Sequence, residues 1–310
     1  MRPALWARCG LNGMKTNGFE IILPVQDYDL DATLASGQVF GWERGGSGWT
    51  GVASGRWVEL TAHASGIRAR VLVNPGDWNW LRDFLQTEVE LAEVIKTFPP
   101  DDAHLQVAVE ACRGLRLLRQ DPWECLASFI LSSTKQIVQI RQIVQLLRSR
   151  FGTTVKVPVG VDPVSAFPTA AQLAVLSEAD LRACKMGFRA PYLLAAARRV
   201  AAGEIDLAAL GRMDLVAAQQ ALLRFDGVGE KIADCVLLFA YGFPEAFPVD
   251  VWVRRVLVNY YFRRRQVSAE RLRKFVAGHF GPNSGYAQQY LFHYIRTIEG
   301  KKLSAAKIAS

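Results

Sequence analysis

Leu222-Leu223-Arg224-Phe225-Asp226-Gly227-Val228-Gly229-Glu230-Lys231-Ile232-Ala233-Asp234-Cys235 is the stretch on which the reading of this chain turns. Two glycines flank one apolar residue between helical patterns, which predicts a helix, a tight hairpin and a second helix. Glycine permits positive φ and lets another backbone approach closely. The second helix would start with outward-facing N–H groups that can hold a phosphate. An ordinary interhelical turn has the same pattern, so the glycines alone leave both readings open.

Lys231 falls in the first turn of that second helix. An amine nucleophile must be neutral, and the start of a helix dipole, with burial, works against an ammonium. A solvated or phosphate-contacting lysine is the competing reading. Asp250 follows 19 residues later in Phe247-Pro248-Val249-Asp250-Val251-Trp252-Val253-Arg254-Arg255. It sits where a helix N-cap belongs, after a proline that stiffens the approach. It is either a structural cap or a carboxylate held near Lys231 to stabilise charge.

Away from this centre the chain divides in two. Phe19–Leu23, Gln38–Trp42, Trp49–Val52, Trp57–Leu60 and Ile67–Val73 are rich in β-branched and aromatic residues and predict strands, with a turn at 45–48. Beyond Asn74-Pro75-Gly76 the period becomes helical. Helices are predicted over Pro122–Leu131, Ile137–Phe151, Ala170–Leu176, Ser177–Cys184, Ala190–Ala202, Leu215–Leu223, Val251–Phe262, Ala269–His279 and Tyr286–Thr297. Val155–Pro168 holds three prolines and reads as a loop. A β-rich N-terminal domain therefore precedes a helical one.

The 310 residues carry a net charge of +8, and it is regional. Residues 251–310 hold twelve basic and two acidic side chains, a net +10, which leaves −2 for residues 1–250. Arg254, Arg255 and Arg263–Arg265 are candidates to face phosphates, while Lys301, Lys302 and Lys307 read as a solvated tail. The charge points towards an anionic partner without identifying it. No apolar run of about 18 residues predicts a membrane span, and the short apolar start interrupted by Arg8 argues against secretion. Five scattered cysteines without a CxxC pair fit a reducing compartment and give no metal-site spacing.

The hairpin with its lysine, followed by the PVDVWV segment, resembles the helix–hairpin–helix DNA glycosylases with a Gly/Pro-rich loop and an essential Asp. Within them the chain resembles the 8-oxoguanine DNA glycosylase/AP lyases over about 19–297. Further matches are Ser36-Gly37-Gln38-Val39-Phe40-Gly41-Trp42, Asp121-Pro122-Trp123-Glu124-Cys125, Phe129-Ile130-Leu131-Ser132-Ser133 and Gly187-Phe188-Arg189-Ala190. Asp226 stands where the hairpin usually has a leading proline. The resemblance implies an α+β chain, with a TBP-like antiparallel β domain before an all-α helix–hairpin–helix glycosylase domain. The expected divisions are a loose tail over 1–17, the β-rich domain over 18–110, the helical domain over 111–299 and a basic tail over 300–310.

The resemblance also implies a chemistry. Lys231 would attack the sugar C1′ of a flipped 8-oxoguanine nucleotide, Asp250 would stabilise developing positive charge, and the Schiff base would permit β-elimination. No metal or organic cofactor is implied. The partner is duplex DNA containing 8-oxoguanine, with no membrane, and the protein would act as a monomer in the nucleoid or cytoplasm if bacterial and in the nucleus if eukaryotic. Gly37 matches the residue whose carbonyl accepts from the lesion's N7–H, Cys235 and Phe292 the pair that sandwiches the base, and Gln288 one that bonds its Watson–Crick edge. Gly227 and Gly229 match the phosphate-binding hairpin. Phe188 matches an aromatic wedge and Arg189 a cytosine contact. Thr134 and Gln139 replace an Asn and an Arg that read the opposite cytosine, which predicts relaxed preference for the opposite base. Trp252 replaces a phosphate-contacting His. The alternatives are a glycosylase for another oxidised base, a non-catalytic DNA-binding module, and a small-molecule lyase with a Schiff-base lysine.

Overall fold

The structure, a computed structural model, describes residues 18–46, 48–132, 136–263 and 265–299. Thr134 and the tails over 1–17 and 300–310 lie outside the described residues.

Five antiparallel strands form one sheet: β1 (Phe19–Pro24), β2 (Trp42–Gly45), β3 (Gly48–Ala53), β4 (Arg56–His63) and β5 (Gly66–Val71), in the order β1-β5-β4-β3-β2. Alternation decides which face is covered. On β5, Ile67, Ala69 and Val71 are buried, while Arg68 and Arg70 between them pair with Glu20 and Glu59 on the other face. The covered face packs on the helices Leu30–Ala35 and Asn79–Leu85, with Trp42 stacked on Phe84 at 5.5 Å.

Two expectations fail here. The stretch expected as a strand over Gln38–Trp42 is a buried loop, and pairing starts only at Trp42. A six-residue helix, Leu30–Ala35, precedes it, capped by the Asp29 carboxylate, which accepts from the Ala32 N–H at 2.8 Å. Gln38 explains the loop. It is fully buried and its amide donates to the carbonyls of Thr33 and Arg116 and to Ser36 Oγ, while its oxygen accepts from Leu118 N. These tertiary bonds replace a strand ladder. The Val155–Pro168 loop is also less irregular than expected, since Thr154–Val155 pairs with Val164–Ser165.

The helical part is built round Pro122–Leu131. Asp121 caps it, accepting from Glu124 N at 2.9 Å, and Pro122 occupies the first turn, where its missing N–H costs nothing. Every residue from Cys125 to Leu131 is buried, so this helix is the core about which the others pack. Ile137–Phe151 and Ala190–Ala201 lie against it. The helix Ser284–Tyr294 returns to the sheet side: Tyr290 Oη donates to the Leu115 carbonyl at 3.1 Å, and Arg296 just beyond donates to the Ala35 carbonyl at 2.6 Å. That return brings the Gly37 loop against the helical part.

Candidate active site

The hairpin joins the helix Leu215–Leu223 to Glu230–Val236. Its turn closes through a bond from Val228 N to the Phe225 carbonyl at 3.1 Å, with both side chains buried as a plug. The two glycines do different work. Gly227 has φ +76°, and a Cβ there would lie 2.7 Å from the Tyr192 ring. Gly229 is extended at φ −99°, caps the second helix, and has open space where its Cβ would be. Gly227 is thus needed for the turn, and Gly229 leaves the helix start accessible.

From the first turn of that helix Lys231 reaches a cavity of about 370 Å³. Its Nζ donates to Ser132 Oγ at 3.0 Å and lies 5.2 Å from the Phe129 ring centroid. Ser132 in turn donates its hydroxyl to the Phe129 carbonyl at 2.7 Å, so the oxygen offers lone pairs to the lysine. Asp250 lines the same cavity. It caps the helix Val251–Val256, its Oδ1 accepting from Val253 N at 2.7 Å. Burial raises its pKa above the usual carboxylate range, and the Val253 amide and the Lys231 charge work against that rise. The cap and the cavity-facing carboxylate are one residue, so the two readings of Asp250 are compatible.

Gly37, Cys235, Gln288 and Phe292 complete the walls. Gly37 has φ +87°, and a Cβ there would lie 2.6 Å from Ile137 Cδ1 and 3.5 Å from the Phe292 ring. Burial pushes the Cys235 thiol up to about 12, against the nearby lysine, so it forms a soft neutral wall. Gln288 is buried, and its Oε1 has no hydrogen-bond partner among the described residues. An orphaned buried acceptor is costly, and a donor on a ligand would relieve it.

Outside the cavity the expected contacts are looser. Gln139 is exposed, and its Oε1 accepts from Gln136 N at 3.1 Å, capping its own helix. Phe188 is 57% exposed, as a wedge requires, but Arg189 is only 1% exposed, with its guanidinium 4.3 Å from the Phe188 ring. Arg189 must leave that burial to touch a base. Arg254 donates to the Val267 carbonyl at 2.7 Å, and Arg255 stacks over Trp252 at 5.0 Å. Both remain exposed, and Trp252 lines the cavity mouth.

Sequence reasoning gave no role to Ser132 or Arg296. Arg296 lies over the Phe292 ring at 5.5 Å and faces the cavity. Ser132 stood inside a quoted motif, yet nothing in its spacing marks it as the partner of a lysine 99 residues away.

Residues 127–279 match the family model described as HhH-GPD superfamily base excision DNA repair protein, which gives the class. Residues 20–126 match the model for the 8-oxoguanine DNA glycosylase N-terminal domain. The chain is 30% identical to a probable N-glycosylase/DNA lyase of Methanothermobacter thermautotrophicus over 88% of this chain and 95% of that one. It is 29% identical to an N-glycosylase/DNA lyase of Arabidopsis thaliana over 88% of this chain and 79% of the other. Among solved structures it is similar to the Clostridium acetobutylicum 8-oxoguanine glycosylase/lyase in complex with double-stranded DNA containing cytosine opposite the lesion. The TM-score there is 0.83 at 30% identity, covering 91% of this chain and 98% of that one. The chain belongs to the 8-oxoguanine DNA glycosylase/lyase family.

Proposed function

We propose that this protein excises 8-oxoguanine from duplex DNA and then nicks the strand, with Lys231 as the nucleophile for both steps. The observation that carries the reading is a primary amine and a half-buried carboxylate on one cavity, together with the orphaned Gln288 Oε1. The relatives named N-glycosylase/DNA lyase support it.

In the first step the neutral Lys231 amine bonds to C1′ of the flipped nucleotide as the C1′–N9 bond breaks. The base leaves with the bonding electron pair and is protonated. Asp250 stabilises the positive charge that develops on the sugar. The amine then loses its proton as the ring opens to a Schiff base. Removal of a C2′ proton expels the 3′ phosphate by β-elimination, and hydrolysis frees Lys231. Gly37 supplies an acceptor for N7–H, the group that separates the lesion from guanine. Cys235 and Phe292 hold its faces, and Gln288 bonds its edge.

Main-chain groups at Gly227 and Gly229, with Arg254 and Arg255, hold the phosphates. Phe188 wedges beside the base opposite the lesion, and Arg189 is released towards that base. Thr134 and Gln139 lack the bidentate donors that favour cytosine, so the opposite-base preference is relaxed. The protein works as a monomer, in the nucleoid or nucleus, and the two domains divide near residue 110. Among the described residues no helix is long and apolar enough to cross a membrane.

The test is borohydride trapping. Incubated with a duplex carrying one 8-oxoguanine, the protein should give a covalent adduct that disappears in Lys231→Gln. DNA binding without any adduct would instead favour a non-catalytic module.

A further inference from the structure

The active-site walls come from two halves of the molecule, and something must fix one against the other. The Gly37 loop, 36–41, is tied on the sheet side by Gln38 and by Gln120, whose amide donates to the Gln38 carbonyl at 2.7 Å. Its other end is Gly41. The Gly41 carbonyl accepts from Arg148 at 2.8 Å, and the same guanidinium donates to Glu124 at 2.6 Å. Glu124 belongs to the central helix that carries Phe129 and leads into Ser132, the partner of Lys231. Arg148 belongs to Ile137–Phe151, whose first residue packs against Gly37. One buried guanidinium, carried on one wall-forming segment, therefore bonds two others.

Two details argue that geometry, not stability, is what this pair supplies. Arg148 is 3% exposed, and its Nε has no partner among the described residues. A buried ion pair with an unpaired donor contributes little net stability compared with apolar packing of the same volume. Gly41 is also shaped for it, since a Cβ there would fall 2.3 Å from the guanidinium. That guanidinium is pinned at both ends and cannot swing away cheaply.

We propose that Arg148 is a positioning residue for lesion reading, its guanidinium clamping the Gly37 loop, through the Gly41 carbonyl, to the helix that carries Phe129 and leads into Ser132. The inference rests on the proposed role of Gly37 in recognising the base. A clamp on the base-reading loop has a consequence that a general structural role lacks. A preformed abasic site has no base to read, so its cleavage by Lys231 should not depend on the clamp.

The experiment compares single-turnover excision of 8-oxoguanine with cleavage of a preformed abasic site in the full chain. The main variant is E124Q/R148M, which removes both charges together, because removing one alone leaves the other buried and unpaired. Excision should slow by roughly ten- to a hundredfold, the scale of a small misplacement at a reacting centre. Abasic cleavage and the melting temperature should stay near wild type. Gly41→Ala should give the same split. Unchanged excision in E124Q/R148M, or a parallel fall in both activities of a folded variant, overturns the clamp. Gly37→Ala separates the two layers. If it lowers excision while E124Q/R148M does not, the clamp alone fails. If Gly37→Ala leaves excision at the wild-type rate, the reading of Gly37 fails and the clamp with it.

Discussion

The cavity that would take the lesion and the surface that would meet its partner base are built to different standards. On the lesion side Gly37, Cys235, Gln288, Lys231 and Asp250 share one cavity, and each is fixed by a cap, a helix turn or burial. On the partner side Gln139 is exposed and tied to its own helix cap, while Arg189 is buried beneath Phe188. Preorganised groups act without reorganising when the ligand arrives. Groups that must first break a cap or leave burial lose part of any contact they gain. On the proposed function, discrimination would be concentrated on the damaged base.

The most severe way to break the lesion side is Lys231→Gln, which should cost on the order of 10⁴-fold or more in both base excision and strand nicking, the scale seen when a covalent nucleophile is lost. Single-turnover assays with intact and abasic substrates would measure the two together. Asp250→Asn comes next. Asparagine still caps a helix, so the fold should hold, while excision should fall by about 10²- to 10³-fold, as for loss of one charge-stabilising group. In the wild type, excision should fail in acid as Asp250 is protonated. Because burial raises its pKa, that acid limb should lie above the ordinary carboxylate range.

The partner side can be sharpened instead of broken. Gln139→Arg gives up the helix cap bond but supplies a bidentate donor near the opposite base. It should increase preference for cytosine by about 1–3 kcal/mol. Rates opposite each of the four bases would show it.

The smallest effect concerns Asp234, one turn beyond Lys231. Burial raises its carboxyl to about 7, and Gln219 donates to it at 2.6 Å. In the unfolded chain the same group titrates at about 3.9. Between those values the native protein binds the extra proton, so stability is greatest below the lower one and falls as pH rises through the higher. Asp234→Asn should remove that fall, raising the melting temperature above pH 7 by about 2–4 °C for each kcal/mol recovered. Melting curves across pH would check it.

How much of this was legible in the sequence depended on range. The helices Pro122–Leu131, Ile137–Phe151 and Leu215–Leu223 end where periodicity and caps place them. Leu30–Ala35 escapes the sequence reading because six residues are too few to show a helical period. The Gln38 loop was misread because its apolar neighbours suit a strand, while the bonds that hold it come from residues about 80 positions away. Glycine, proline and a cap mark Lys231 and Asp250 locally, but those marks fit structural roles equally well, and only the family resemblance chose between the readings. Ser132, Arg148 and the burial of Arg189 are properties of packing between distant segments, which no local pattern encodes.

The comparison between the two sides is tested most directly by single-turnover excision of 8-oxoguanine opposite cytosine, thymine, guanine and adenine, beside unmodified guanine opposite cytosine. The account predicts lesion rates within about tenfold of one another, since Thr134 and Gln139 replace the donors that would read cytosine and Arg189 must leave burial to reach the partner. Unmodified guanine should be released far more slowly than any of them. A strict requirement for cytosine, or comparable release of unmodified guanine, would contradict it.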